Sequence, residues 1–252
     1  MENFKNKIAP YKEKFFFGKV YEVIRIYDED FGFFVVHKNP DNINEVFWAV
    51  NDLEDLKRGL ELAKQDFSGF IFRYGKEFNQ LMQDKEKIKP WGYRLSDIHV
   101  GFRLDLGKIA KIKPNINIEL LTLAGIDEVM RLDYSMFDNF NASREELVEM
   151  VNSKSDQVFI AKEEGHAIGF IIINDIHDKQ CFIRNLGVCE TCRGKGIGYQ
   201  LLMFALNQAK AKGSKSCFLW VGYNNKVAIN LYKKAGFVQD FQEGEAVFSY
   251  FF

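Results

Sequence analysis

The sequence predicts a mixed α/β protein in two domains, and three observations carry that reading. Apolar residues recur with period two in short runs and with helical spacing in longer ones. A glycine-rich stretch, Arg193-Gly194-Lys195-Gly196-Ile197-Gly198, joins a strand-like run to a helix-like run. The periodicity breaks at Lys108–Asn115, a short basic stretch with Lys111, Lys113 and Pro114. We place the boundary near Lys113, giving an α+β domain over 1–113 and a mixed α/β domain over 114–252. A chain of 252 residues is long enough for two such cores.

In the first domain, Val20–Tyr27 and Phe33–His37 flank Asp28-Glu29-Asp30-Phe31-Gly32 and read as a hairpin. Glu45–Val50 is a further strand. Asn51 with Glu54 reads as a capping box for a helix whose face is Leu53, Leu56, Leu60 and Ala63. Phe70–Tyr74 is a buried strand, and Phe78, Leu81 and Met82 mark a helix that Pro90 stops. Ile98, Val100, Phe102, Leu104 and Leu106 alternate as a strand. His37 and His99 fall in strand patterns and read as structural. Phe15, Phe16 and Phe17 read as core or as a contact surface.

In the second domain, Ile116–Leu121 is a strand and Ile126, Val129, Met130 and Asp133 begin a helix. Ser143-x-x-Glu146 is a capping box ahead of Leu147, Met150 and Val151. Val158–Lys162 and Ala167–Ile173 are strands across a turn at Glu163–His166, and Phe182–Val188 is the next. The following helix buries Ile197, Leu201, Leu202, Ala205, Leu206 and Ala209, with Gly213 placed as its left-handed cap. Cys217–Val221 is apolar throughout, as a strand covered on both faces would be. Ala228, Leu231, Tyr232 and Ala235 share a helical face, and Phe237–Gln242 with Glu245–Phe252 reads as a closing hairpin.

Composition narrows the function classes. A hydrophobic fraction of 47% and a charged fraction of 27% describe a globular protein, not a disordered one. The formal net charge of −1 supplies no global field for nucleic acid or an anionic membrane, so neither is expected as a partner. No apolar run approaches the roughly 18 residues of a membrane span, and Ile8-Ala9-Pro10 is no signal-peptide core. The expectation is a cytoplasmic protein. The four cysteines are Cys181, Cys189, Cys192 and Cys217. Cys189-x-x-Cys192 has the spacing of a redox or metal pair. A zinc site takes about four ligands, and no second pair of that kind accompanies it, so we expect reduced thiols and no metal.

The glycine-rich stretch is the strongest chemical signal. Its glycines accommodate positive φ and admit close approach of a ligand to the backbone. A turn of this kind at a helix start points N–H groups at one spot, where the helix dipole favours an anion. Arg193 and Lys195 add positive charge. The chemistry is that of a diphosphate cradle; the plainer alternative is a turn that starts a helix.

Leu186-Gly187-Val188 followed by Arg193–Gly198, and then the segment Asn225-Lys226-Val227-Ala228-Ile229-Asn230-Leu231-Tyr232 ending in Gly236-Phe237, resemble the GNAT family of acyl-CoA-dependent N-acetyltransferases. The element order over residues 116–252 agrees. The resemblance implies the GNAT fold for this half and acetyl-CoA as co-substrate. It implies that Leu186, Gly187 and Val188 pair with the pantetheine arm, with the Val188 N–H facing the thioester oxygen. It implies that Arg193, Gly194, Lys195, Gly196, Ile197 and Gly198 hold the pyrophosphate and that Asn225 bonds the arm, or caps its helix, or both. Tyr232 is implied as the acid that protonates the departing thiolate. A phenol near pKa 10 and a thiol near 8.5 are reasonably matched for this; the alternative is a core tyrosine.

The acceptor is implied to be an amine on a small molecule or a protein. The general base stays open among Glu190, Asp138, Asp175, His177 and Asp178, with Glu190 carried as the catalytic candidate. Cys189-Glu190 departs from the family's usual uncharged residue and proline, which leaves the acceptor side undefined. Asp133, Asp138, Asp175 and Asp178 point to a cationic amine. Two rival functions stand beside this one: a CoA-binding regulatory module, and an acyltransferase for a longer acyl chain.

The first half mirrors the second in element order. Strand 45–50, helix 52–65, strand 70–74, helix 76–88 and strands 93–106 follow the order of 182–188, 197–212, 217–221, 226–235 and 237–252. Asn51-Asp52-Leu53-Glu54-Asp55 stands where the glycine turn would be, and its carboxylates would repel a diphosphate. The first half therefore reads as a partial GNAT-like domain without acetyl-CoA, or as an unrelated α+β domain of similar order.

Overall fold

The computed structural model describes residues 4–16, 20, 22–39, 41–137, 142–153, 155–176 and 179–251, with the side chains of 175 and 176 excepted. The chain divides into two compact units, residues 1–100 with 241–252, and residues 101–240.

The first unit contains α1 (Lys5–Ile8), β1 (Glu13–Phe15), β2 (Val23–Glu29), β3 (Gly32–Lys38), β4 (Asn44–Val50), α2 (Leu53–Asp66), β5 (Gly69–Lys76) and α3 (Phe78–Ile88). β6 (Arg94–Asp105) and β12 (Val238–Phe251) each give part of their length to each unit. The strand order in this unit is β2-β3-β4-β5-β12. The hairpin β2–β3 forms as expected, with Glu29 opposite Gly32. α2 buries Leu56, Leu60 and Ala63, and α3 buries Phe78, Leu81 and Ile88 before the 3-10 turn that holds Pro90. Phe34, Phe70, Phe72 and Phe248 fill the core.

The second unit contains β7 (Asn117–Leu120), α4 (Ile126–Met136), α5 (Arg144–Asn152), β8 (Gln157–Glu163), β9 (His166–Ile176), β10 (Gln180–Val188), α6 (Ile197–Ala211), β11 (Ser216–Gly222) and α7 (Lys226–Lys234). Its strand order is β11-β10-β9-β8-β7. α4 and α5 pack Ile126, Val129, Leu147 and Met150 against Val158, Ile160, Phe170 and Ile172. Phe159 points the other way and meets Phe204 of α6 at 5.2 Å. Both faces are covered, which is why these strands read as continuous apolar runs.

Three expectations change. Residues 108–115, read as the join with the boundary near Lys113, lie on α6: Asn115 N donates to Gln200 Oε1 at 2.8 Å, Asn207 Nδ2 donates to the Ala110 carbonyl, and Lys210 Nζ donates to the carbonyl of Gly107 just before them. The closing hairpin is one strand, β12, which pairs with β5 from Gly244↔Lys76 to Phe251↔Gly69. Gly244 makes no turn; a Cβ there would come within 2.9 Å of Leu81 and 3.1 Å of Phe78, so its glycine admits α3. The helix cap is Asp52, not Asn51: the Asp52 side chain accepts from Asp55 N. The box at Ser143 and Glu146 is complete in both directions.

His37 is buried against Phe47 with Nδ1 2.8 Å from the Lys38 carbonyl. Phe16 packs on Phe33 and Phe47, while Phe17 lies outside the described residues. No helix among the described residues is long and apolar enough to cross a membrane.

Candidate active site

β10 is held on one edge along its whole length and on the other for only part of it. It pairs antiparallel with β9 from Gln180↔Ile176 to Val188↔Gly169. Its parallel ladder with β11 runs only from Gln180↔Ser216 to Ile183↔Leu219. A bulge between Ile183 and Asn185 bends the strand at that point. Beyond it, Leu186–Val188 have no ladder partner from β11. Register fixes which groups face the open edge. Cys189 N donates to the Ile168 carbonyl at 2.8 Å, so pairs alternate and Val188 and Leu186 direct N–H and C=O away from β9. Of the three expected residues, these two present the main chain to the opening. Gly187 serves packing: a Cβ there would sit 2.5 Å from Met136 Sδ and 3.4 Å from Phe137, at the end of α4.

The strand leads through a 3-10 turn, Glu190–Cys192, into the glycine stretch. Gly194 and Gly196 have φ of 78° and 77°, which side-chain-bearing residues adopt at a cost. Gly196 caps α6 with no side-chain hydrogen bond. The first-turn N–H groups are thus left for something other than a side chain. An added Cβ at either glycine meets nothing within 4 Å, so the space in front is open. Arg193 Nε donates to the Val188 carbonyl at 3.1 Å, tying the turn back to β10. Lys195 is exposed beside it. Ile197 is buried as the first helical residue.

α7 reaches the same place. An added Cβ on Gly198 would lie 3.5 Å from Val188 Cγ2 and 3.6 Å from Leu231 Cδ2. Strand, glycine turn and α7 therefore meet at Gly198. Lys234 Nζ sits 4.9 Å from the centre of the Tyr199 ring, a cation–π contact between α6 and α7. Asn225 caps α7 through its Oδ1, which accepts from Ala228 N at 3.0 Å; its amide nitrogen is not used in that bond. Tyr232 is buried with its ring edge-on to Phe237 at 5.7 Å. Burial, and secondarily the Cys217 sulfur, pushes its phenol well above the ordinary value. It holds its proton more firmly than a free phenol does.

Glu190 is exposed at the head of the turn. Asp138, His177 and Asp178 lie outside the described residues, as does the side chain of Asp175. Asp133 does not belong to an open acidic rim. It is buried on α4, with Oδ2 accepting from Ala142 N at 2.8 Å and Oδ1 accepting from Asn185 Nδ2 at 3.2 Å. Burial raises its carboxyl pKa. Asn185, just before Leu186, was not singled out by the sequence; the signal was an aspartate on an otherwise apolar face of α4, which needs a buried partner. All four cysteines are free thiols. Thr191 Oγ1 lies 3.7 Å from Cys189 Sγ and 3.8 Å from Cys192 Sγ.

The model of the acetyltransferase (GNAT) family matches residues 124–237, which contain every element just described from α4 to α7. Residues 124–237 belong to the GNAT family. An uncharacterized N-acetyltransferase of Methanocaldococcus jannaschii is 33% identical over 94 residues, which is 35% of this chain and 42% of that protein. The chain thus spans less than half of that relative's length. An N-alpha-acetyltransferase of Sulfolobus acidocaldarius is 26% identical over 146 residues, 53% of this chain and 86% of that one. The crystal structure of a GCN5-related N-acetyltransferase from Sphaerobacter thermophilus superposes with a TM-score of 0.64 at 16% identity, over 88% of this chain and 77% of its own. At that identity the likeness concerns fold alone. Its coverage takes in the first unit as well, so the GNAT-like architecture is not confined to the segment the family model matches.

Proposed function

We propose that the chain is an N-acetyltransferase that moves an acetyl group from acetyl-CoA to a primary amine by direct attack in a ternary complex, in the cytoplasm. The convergence of β10, the glycine turn and α7 at Gly198 carries this reading. The residues fit an acyl-CoA. The open edge of Leu186 and Val188 suits an extended amide-bearing arm, which strand-like pairing would hold. The uncapped start of α6, from Arg193 to Gly198, suits a diphosphate. The Asn225 amide nitrogen is free to bond the arm while Oδ1 caps α7.

The acyl-CoA supplies an activated carbonyl with a thiolate leaving group. The Val188 N–H donates to the oxygen that gains charge as the amine adds; removing such a donor typically costs about 10²–10³-fold in rate. Tyr232 keeps its proton at neutral pH and gives it to the departing sulfur. Glu190, exposed beside the acceptor side, takes a proton from the amine directly or through water. Arg193 fixes the Val188 carbonyl and so orients the adjoining peptide.

Turnover with a panel of amines and with acetyl-, propionyl- and succinyl-CoA tests this. Transfer from acetyl-CoA to at least one amine is expected, with the longer donors slower. Tight acetyl-CoA binding without transfer to any amine would leave a regulatory module, and a preference for a longer donor would leave a different acyltransferase.

A further inference from the structure

We propose that the cofactor cleft of the first unit is filled by the chain's own segment Glu13–Phe15, so that each chain binds one acyl-CoA, in the second unit. The inference rests on the assignment of the open β10 edge to the pantetheine arm. Each unit, taken by itself, has the same pair of splayed parallel strands. In the second unit, β10 has β9 on one edge and β11 on the other only as far as Ile183. In the first, β4 has β3 on one edge from Asn44 to Val50. Its other edge pairs with β5 only at Glu45↔Ile71 and Val46↔Phe72. The residues that follow are Trp48–Val50 here and Leu186–Val188 there, displaced by the one extra residue of the β10 bulge. In β10 that edge carries no strand, and the Arg193 side chain meets it at the Val188 carbonyl. In β4 it is taken: Glu13↔Val50, Lys14↔Ala49 and Phe15↔Trp48 form an antiparallel ladder.

The segment touches both sides of the splay. Phe15 stacks on Trp48 with ring centres 6.5 Å apart, and Trp48 stacks on Tyr74 of β5 at 5.7 Å. A Cβ on Gly75 would come within 3.1 Å of the Phe15 ring, so that glycine makes room for it. The Glu13 carboxylate accepts from Lys76 Nζ of β5. Trp48 Nε1 donates to the Arg73 carbonyl at 2.8 Å, which closes the gap behind. The helix that follows is also closed to an anion. Asp52 caps α2 with its own carboxylate and Glu54 and Asp55 stand in its first turn, where Gly196 leaves α6 uncapped. The remaining cavity, about 380 Å³, has Glu13, Asp52 and Asp84 among its lining residues, with Lys76 already paired to Glu13 and Lys87 to Asp84. A ligand would have to displace an intramolecular strand whose effective concentration is of millimolar order, and then meet carboxylates with its diphosphate.

Amide hydrogen exchange at single residues, with calorimetry on the full chain, tests this. In the free wild-type protein, Trp48–Val50 should be protected and Leu186 and Val188 should exchange fast. Saturating acetyl-CoA should slow only the latter pair, with one site per chain. The double variant Glu13→Ala, Phe15→Ala should speed exchange at least about tenfold at those of Trp48–Val50 that face β1 and leave acetyl-CoA affinity within about twofold. Two sites per chain, slowing of Trp48–Val50 by acetyl-CoA, or fast exchange there in the wild type would each overturn the assignment. If acetyl-CoA binds once but slows neither stretch, the pantetheine assignment in the second unit fails, and with it the equivalence on which this inference rests.

Discussion

Replacing Tyr232 by phenylalanine removes one oxygen and little else. The ring stays against Phe237, and the backbone of α7 keeps its cap on Asn225. What is lost is the proton for the leaving thiolate. A positioned acid contributes roughly 10²–10⁴-fold, and water can replace part of it, so we expect kcat to fall about 10²-fold, or about 2.7 kcal/mol at the transition state. Affinity for acetyl-CoA should stay within about twofold. The pH profile adds a second readout. Burial raises the Tyr232 phenol above its ordinary value, so its neutral, proton-donating form persists past about pH 10. The variant's profile should therefore keep the wild-type shape below pH 10 and lie lower throughout. Single-turnover kinetics on the folded variant decides. A chemical step within about twofold of wild type would reduce Tyr232 to a core residue.

Gly196→Val forces a β-branched residue to φ 77° at the turn and should weaken acetyl-CoA binding at least about tenfold, about 1.4 kcal/mol; an unchanged Kd by calorimetry would show that the turn is not the cradle. Gly198→Ala, whose Cβ meets only ordinary contacts, should bind within about threefold of wild type, and a loss as large as that of Gly196→Val would refute the distinction. Asp133→Ala strands Ala142 N–H and the Asn185 amide, and at about 1–3 kcal/mol for each buried unpaired group it should lower the stability of the second unit by at least about 2 kcal/mol. A change below about 0.5 kcal/mol in denaturant unfolding would mean that these bonds are not holding Ala142 and Asn185 to α4. His99 sits between Asp97, at 3.2 Å, and Glu245, which Arg73 also binds, and its pKa is raised to about 9 despite burial. Its folded value exceeds its unfolded one, so its contribution is complete below about pH 6.5 and is lost as pH rises through about 9. Thermal unfolding of wild type between those limits should show a loss, on the order of 3 kcal/mol at most, that His99→Gln lacks; parallel curves for the two proteins would refute it.

Features with local causes were legible before the fold was known. The glycines at 194 and 196, the cap at Ser143 and the stop at Pro90 each follow from what one residue's backbone permits. The partners of the site were less so. Asp133 and Asn185 lie far apart in the chain and meet only because α4 packs across β10. The open edge of Leu186–Val188 depends on where a parallel ladder ends, which no run of residues announces. Phe237–Gln242 and Glu245–Phe252 read as a hairpin because a glycine between strand-like runs signals either a turn or a close approach, and only the packing of Gly244 against α3 separates the two. Three residues, Glu13–Phe15, carry no periodicity, and their strand exists because β4 offers an edge.

Direct transfer from acetyl-CoA to an amine in the second unit is tested most plainly by single turnover with isotopically labelled acetyl-CoA, read by mass spectrometry of both acceptor and protein. Label should appear on the acceptor nitrogen at the rate of the chemical step, with none on Cys189, Cys192 or any other side chain at any time. Label that reaches a protein side chain first and then passes to the amine, or that reaches no amine in the panel, would contradict the account.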